Sequence, residues 1–290
     1  MTSRHRPIVA VAVDLGPGSE EVARAGASIA QALAGQAVLL HSIAAPTVAS
    51  YDRVVSRLTI LSRLHDDMPV EVLSGPPALS IHDWVEAVDA AVIVVAARRP
   101  ANRIERSFAT IDGLLRNSSR LLWVVRPGQP FPPSRPLFAV DSSESSSLAV
   151  LAGNDHLNRL GWSREPVLVT AVDEAPARSE AHARLRRLSE RAHLEKPGLR
   201  LALGAPLNAI ERQLVADRCD VLVAGSSVPR GWNRLRFGSV ASELAYRASC
   251  HVLLIPEPAA RCYQAAHTER TESSEPPAAL PPTDTVALHR

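Results

Sequence analysis

Short apolar runs recur along the chain and alternate with stretches whose apolar residues fall three or four positions apart. Runs such as 8–13 (IVAVAV), 92–96 (VIVVA), 121–125 (LLWVV) and 251–255 (HVLLI) show little of the in–out alternation of a half-exposed strand. They read as strands buried on both faces, which is the habit of parallel sheets. Between them, Val22, Gly26, Ile29 and Leu33, and then Tyr51, Val54, Val55, Leu58 and Leu61, are spaced as amphipathic helices. Strand and helix alternate throughout, so the pattern predicts an α/β fold, a parallel sheet with helices on both faces.

The pattern then repeats. When 92–127 is aligned on 221–256 by the closing prolines, Phe108 falls on Phe237, Ala109-Thr110 on Gly238-Ser239 and Leu115 on Leu244. Further out, Ser74-Gly75-Pro76-Pro77 matches Leu203-Gly204-Ala205-Pro206, and Val13-Asp14 matches Val140-Asp141, each at the end of an apolar run. A period of about half the chain, with strands enough for a sheet in each copy, implies two copies of one domain rather than a solenoid. The expected division is a first domain at 1–127, a Pro-rich linker at 128–136, a second domain at 137–256 and a disordered tail at 257–290, rich in Pro, Ala, Thr, Ser and Glu. One undivided sheet would contradict the duplication.

Composition narrows the function. A length of 290 residues suits two domains, and a formal net charge of +2 with both signs interspersed gives no electrostatic reason for nucleic-acid or membrane partners. The start MTSRHRP leads straight into a strand-like run, no apolar run is long enough to span a bilayer, and the three cysteines have no metal-ligand spacing. These features predict a cytoplasmic protein without a metal centre. The histidines lack an H-E-x-x-H partner, the Gly16-Pro17-Gly18 turn lacks the third glycine of a dinucleotide fingerprint, and no Walker-type Gly-Lys-Ser/Thr occurs. No Ser, Cys or His cluster has the spacing of a catalytic nucleophile, so no enzyme is predicted. His41, Trp84 and Trp123 read as core residues, and Arg184, Arg186, Arg187 and Arg191 as the solvated face of a helix.

The stretch Val221 to Pro256 carries the candidate chemistry. It reads as strand, Gly- and Arg-bearing loop, helix and strand, so the helix amino terminus near Gly238-Ser239 offers free N–H groups to an anion. With Val140-Asp141-Ser142-Ser143-Glu144, Gly204-Ala205-Pro206 and the Gly225 to Ser239 loop, the chain resembles a tandem universal stress protein. Its first half is similar to the amino-terminal half of E-type members, through Phe108 to Arg116 and Trp123. The resemblance implies two tandem Rossmann-like domains, each a five-stranded parallel sheet between helices, and a non-enzymatic stress-response role through ligand or partner binding. Family members that bind ATP carry G-x-x-G, nine residues, then G-[ST]. By that resemblance Asp141 would meet the adenosine part of ATP or AMP and Val172 backbone would border the base, while Gly225, Gly238, Ser239 and the Val240 amide would hold phosphates. The resemblance also implies pairing through the last strands, here Leu121–Val125 and His251–Ile255, whose apolar edges need covering and which one chain holds at high effective concentration. An unidentified protein partner and a homodimer are the other expectations.

This chain departs from the pattern. Val228, followed by Pro229, stands at the second glycine, and in the first half Ala96, Arg99 and Ala109 replace all three. The first half is therefore not expected to bind nucleotide, although an apolar ligand there is an alternative. An ATP-dependent switch or a weak nucleotide hydrolase are the alternatives for the second half. Asp14 reads as a helix cap, while Asp141 is open between that role and a ligand contact. A β-branched residue resists positive φ, and forcing one costs on the order of 1–3 kcal/mol. Val228→Gly is accordingly expected to tighten nucleotide binding by roughly 5- to 150-fold, measured by calorimetry; unchanged affinity would remove this strain argument.

Overall fold

The computed structural model describes residues 6–97, 110–172, 178–226 and 240–273. The first half runs β1 (Ile8–Ala12), α1 (Ser19–Ala32), β2 (Gln36–Ile43), α2 (Val48–Arg63), β3 (Val70–Ser74), α3 (Pro77–Ala87), β4 (Val92–Ala96), α4 (Thr110–Asn117) and β5 (Leu121–Val125). The second runs β6 (Pro136–Ala139), α5 (Glu144–Leu160), β7 (Val167–Val172), α6 (Arg178–Arg191), β8 (Gly198–Leu203), α7 (Pro206–Ala216), β9 (Val221–Ser226), α8 (Val240–Arg247) and β10 (His251–Pro256), followed by α9 (Glu257–Ser273).

All strands join one ten-stranded sheet in the order β3-β2-β1-β4-β5-β10-β9-β6-β7-β8. Two five-stranded sheets were expected, and the sheet is undivided instead; strand direction still tells the two copies apart. Every pairing within a half is parallel, and the one pairing between halves, β5 with β10, is antiparallel. The register there is Trp123 opposite Leu253 and Val124 opposite Val252. In the repeat alignment Trp123 corresponds to Val252 and Val124 to Leu253, so the two pairs exchange under the duplication, as an isologous interface requires. The expected internal pairing of the last strands is present, as the middle of a continuous sheet.

Burial explains the absence of alternation. Successive strand residues go to opposite faces, yet each face has its own core. Val9, Trp123, Phe138, Val223 and Leu253 lie on one face under α1, α2, α5 and α6; Ala10, Ile93, Leu122, Leu222 and Leu254 lie on the other under α3, α4, α7 and α8. Every residue of β10 is buried.

Two expectations change. The chain after Pro256 was expected to be disordered, but 257–273 form α9, whose Ala260 is fully buried in the first-face core with Ala259 and Tyr263 packed beside it. Pro258 falls in the first turn, where its missing N–H costs nothing, and Glu257 pairs with Arg261 one turn on. The rest of the tail lies outside the described residues. The stretch 128–136 is also not a free linker. The Phe131 ring meets Trp123, Trp162 and His251 edge-on at centroid distances of 5.8, 5.2 and 5.1 Å. His251 is fully buried, accepting at Nδ1 from the Arg126 N–H (3.1 Å) and donating from Nε2 to the Pro130 carbonyl (2.9 Å). Arg126 itself reaches across the boundary to the Ala245 carbonyl (3.1 Å), near the carboxyl end of α8, where a cation is favoured.

Next to the boundary, the Trp123 indole N–H donates to Nε2 of buried His156 (3.0 Å). Burial, then the charge of Arg159, pulls the His156 pKa from 6.5 down to about 4. Between those values the unfolded chain binds a proton that the folded chain does not. The contribution is therefore complete above pH 6.5 and is lost as pH falls toward 4, by up to about 3 kcal/mol. Thermal unfolding across pH 4–7 should show this decline, and His156→Gln, which keeps an acceptor without the titration, should flatten it.

Candidate functional site

A cavity of about 720 Å³ opens at the carboxyl ends of β6, β7 and β9. The sheet order reverses here: β7 and β8 extend to one side of β6, β9 and β10 to the other. Such a switch point leaves a crevice because the following helices diverge to opposite faces of the sheet. Asp141, Val172, Gly225 and Val240 all line it, so the structure brings together those sequence-selected residues. Gly238 and Ser239, like Val228, lie outside the described residues.

Asp141 follows β6. Its Oδ1 accepts from the Ser143 N–H (2.8 Å) and the Ser143 hydroxyl (2.6 Å), while its own N–H donates to Ser146 Oγ (3.0 Å). The helix cap is Ser143, whose hydroxyl accepts from the Ser146 N–H. Asp141 thus braces the cap, and its Oδ2 has no partner among the described residues. The serine run 142–147 forms the turn and first residues of α5. Val172 ends β7, buried, with its carbonyl accepting from Gly204 N–H at 3.3 Å.

Gly225 has a second reason to be glycine. A Cβ there would lie 2.9 Å from the Ala149 Cβ, so α5 sits against the β9 backbone at this point. That approach keeps the cavity wall where it is.

Thr170, Glu180 and Arg184 also line the cavity and were missed from the sequence. Arg184 was grouped with a solvated face, which holds for the exposed Arg186, Arg187 and Arg191 but not for Arg184. It lies three residues after buried Ala181 and four before buried Leu188, on the inward stripe of α6. That spacing was the available signal. Its Nη2 donates to Thr170 Oγ1 (3.4 Å), and its Nε is shielded from solvent with no hydrogen-bond partner.

The matching corner of the first half carries different side chains. By strand register, His41 stands where Thr170 does, each following the residue paired with Ala12 or Ala139. His41 Nδ1 is bonded to the Val13 carbonyl (2.8 Å), and Arg57 donates to the Leu15 carbonyl. Asp14 was expected to cap α1, but Gly18 is the N-cap residue and Asp14 Oδ1 accepts from Gly16 N–H (2.8 Å). Elsewhere, burial pushes the Cys219 and Cys250 thiols up to about 12, too high for a nucleophile at neutral pH.

Fold and cavity together define a doubled, Rossmann-like α/β protein with a crevice in its second half. Residues 135–256 match the family model for the universal stress protein family, and the chain carries a domain of that family there. A universal stress protein from Archaeoglobus fulgidus DSM 4304 is similar over 86% of this chain and 98% of its own, at 14% identity and a TM-score of 0.65. A functionally unknown protein from Pseudomonas aeruginosa PAO1 is similar over 93% of this chain and 98% of its own, at 16% identity and a TM-score of 0.61. The cytoplasmic domain of a prokaryotic cation chloride cotransporter shares the fold over 89% of this chain and 99% of its own, at 14% identity and a TM-score of 0.52. Each likeness spans both halves and is one of fold. No curated protein matches the chain significantly. Among the described residues no helix is long and apolar enough to cross a membrane.

Gly225→Ala is expected to destabilise the protein by about 1–3 kcal/mol through overpacking, and Ala149→Gly in the same chain should relieve part of that cost. Denaturant unfolding of the two single variants and the double variant measures the coupling; strict additivity would show that the contact is not tight.

Proposed function

We propose that the second half binds a nucleotide such as ATP or AMP in the β6–β7–β9 crevice, and that the protein acts by holding this ligand rather than by turning it over. The observation that carries the reading is the convergence of Asp141, Val172, Gly225 and Val240 on one cavity at the sheet's switch point. In this reading Asp141 Oδ2 accepts from a ribose hydroxyl while Oδ1 stays tied to Ser143. The amino terminus of α8 stabilises the phosphates through its N–H groups and dipole. The family match at 135–256 supports it. A ligand-holding stress-response role in the cytoplasm follows from the same resemblance.

A second reading makes the ligand a switch, and α8 favours it. Ala241 and Leu244 of that helix line the cavity, while Ser242 and Tyr246 bond the buried Asp112 carboxylate on α4 of the first half (3.3 Å from the Tyr246 hydroxyl). A ligand that orders the start of α8 therefore acts on a helix that also touches the other half.

Native mass spectrometry of the protein as isolated, followed by calorimetry with ATP and AMP, tests the proposal. A bound nucleotide is expected, with Asp141→Ala weakening affinity by at least about tenfold, as for the loss of a hydrogen bond to a charged group. No binding by the intact protein, or affinity indifferent to Asp141, would contradict it.

A further inference from the structure

Joining the halves through β5 and β10 leaves the sheet two outer strands, β3 and β8, and each pairs on one side only among the described residues. In a parallel pair, alternate residues turn both their N–H and C=O groups toward the same neighbour. On β3 the Pro69 carbonyl accepts from Leu39 and the Gly75 N–H donates to Ile43, so Val70, Val72 and Ser74 turn their backbone groups outward. The Gly198 and Gly204 N–H groups donate to Pro166 and Val172, so on β8 it is Leu199, Leu201 and Leu203 that turn outward.

The two edges match in direction, in face and in charge. The strands of the first half run antiparallel to those of the second across the β5–β10 pair, so copies lying side by side in one orientation bring β8 of one antiparallel against β3 of the next. Val70 and Val72 pack on the same face of the sheet as Leu199 and Leu201, and residues opposite one another in an antiparallel pair must share a face. With Val72 opposite Leu201, Val70 meets Leu203 and Ser74 meets Leu199, each pair exchanging both backbone bonds. Arginines lie along the outer side of β8: Arg200 donates to the Leu199 carbonyl (3.4 Å) and Arg212 to the Leu203 carbonyl (2.7 Å). On β3, Glu71 is exposed, as are Asp66 and Asp67 just before the strand. In this register Glu71 is diagonal to Arg200, and Asp66 and Asp67 fall at the Arg212 end.

We propose that β3 and β8 are an interaction surface for a second copy of this chain, joined head to tail so that the sheet continues from one molecule into the next. Pairing of like edges is opposed by charge: a centred β3–β3 pair sets two Glu71 carboxylates diagonal to each other, and a β8–β8 pair sets two Arg200 guanidiniums so. A contact between two different edges leaves one of each free after every addition, so assembly runs as an open series and does not stop at a dimer. The surface is separate from the crevice and does not depend on nucleotide binding.

Sedimentation velocity of the full chain over a concentration series, at low and high salt, tests the proposal. Species larger than a dimer are expected to grow with concentration and to diminish at high salt. Val72→Pro and Leu201→Pro each remove one outward N–H and leave the inner ladder intact, which is where an edge strand tolerates proline. Each variant alone should sediment as a monomer. An equimolar mixture should form a dimer and stop, the intact β8 of one variant pairing with the intact β3 of the other. Glu71→Lys should weaken the series without altering thermal unfolding, and it decides the matter if a proline variant does not fold. The proposal is overturned by a monomer at every concentration, by an unaltered chain that stops at two, by a dimer of either proline variant alone, by a mixture that stays monomeric, or by a series indifferent to Glu71→Lys.

Discussion

The architecture depends on one strand pairing. β5 and β10 are the last strands of their halves, apolar on both faces, and each would end as an open edge if left alone. Their antiparallel pairing closes both edges and places Trp123 and Leu253 side by side at the centre of the sheet. An edge rich in unpaired N–H and C=O groups invites association with other chains, and carrying two copies in one chain satisfies both internally. What surrounds the pair reinforces it. His251, Arg126 and Phe131 bond or pack across the junction, and buried His156 accepts from Trp123.

The halves have the same frame and different corners. A parallel sheet that reverses direction at its first strand leaves a crevice at that point in each half. In the first half His41 and Arg57 bond the carbonyls of Val13 and Leu15, which follow β1. In the second, a smaller Thr170 stands at the His41 position and the crevice lies open with Asp141, Glu180 and Arg184 around it. Duplication supplies stability through the shared sheet, while the side chains at the strand ends differ between the two corners.

Much of the frame is legible in the residues because burial on two faces leaves continuous apolar runs, and because the repeat aligns strand on strand. The β5–β10 pairing was legible through the family resemblance together with the apolar edges of both strands. Other features were hidden for physical reasons. Ala-rich 257–265 looked too poor in large side chains to fold, yet small residues suffice where a helix packs closely, as Ala260 does. The 128–136 stretch looked like a spacer because prolines dominate it, while one aromatic, Phe131, fixes it in place. Arg184 was hidden among neighbouring arginines, since composition does not tell which of them falls on the inward stripe. Gly225 was read as a phosphate-loop residue, and its tight approach to Ala149 depends on a helix distant in sequence.

The account's central claim is that the crevice in the second half of the doubled sheet is the ligand corner. Hydrogen–deuterium exchange on the full chain, with and without saturating nucleotide, measures this most directly. The claim predicts slowed exchange at 141–146, 170–172 and the start of α8, with 13–19 and 41–43 unchanged. Protection centred on the first-half corner, or spread equally over both, would contradict it.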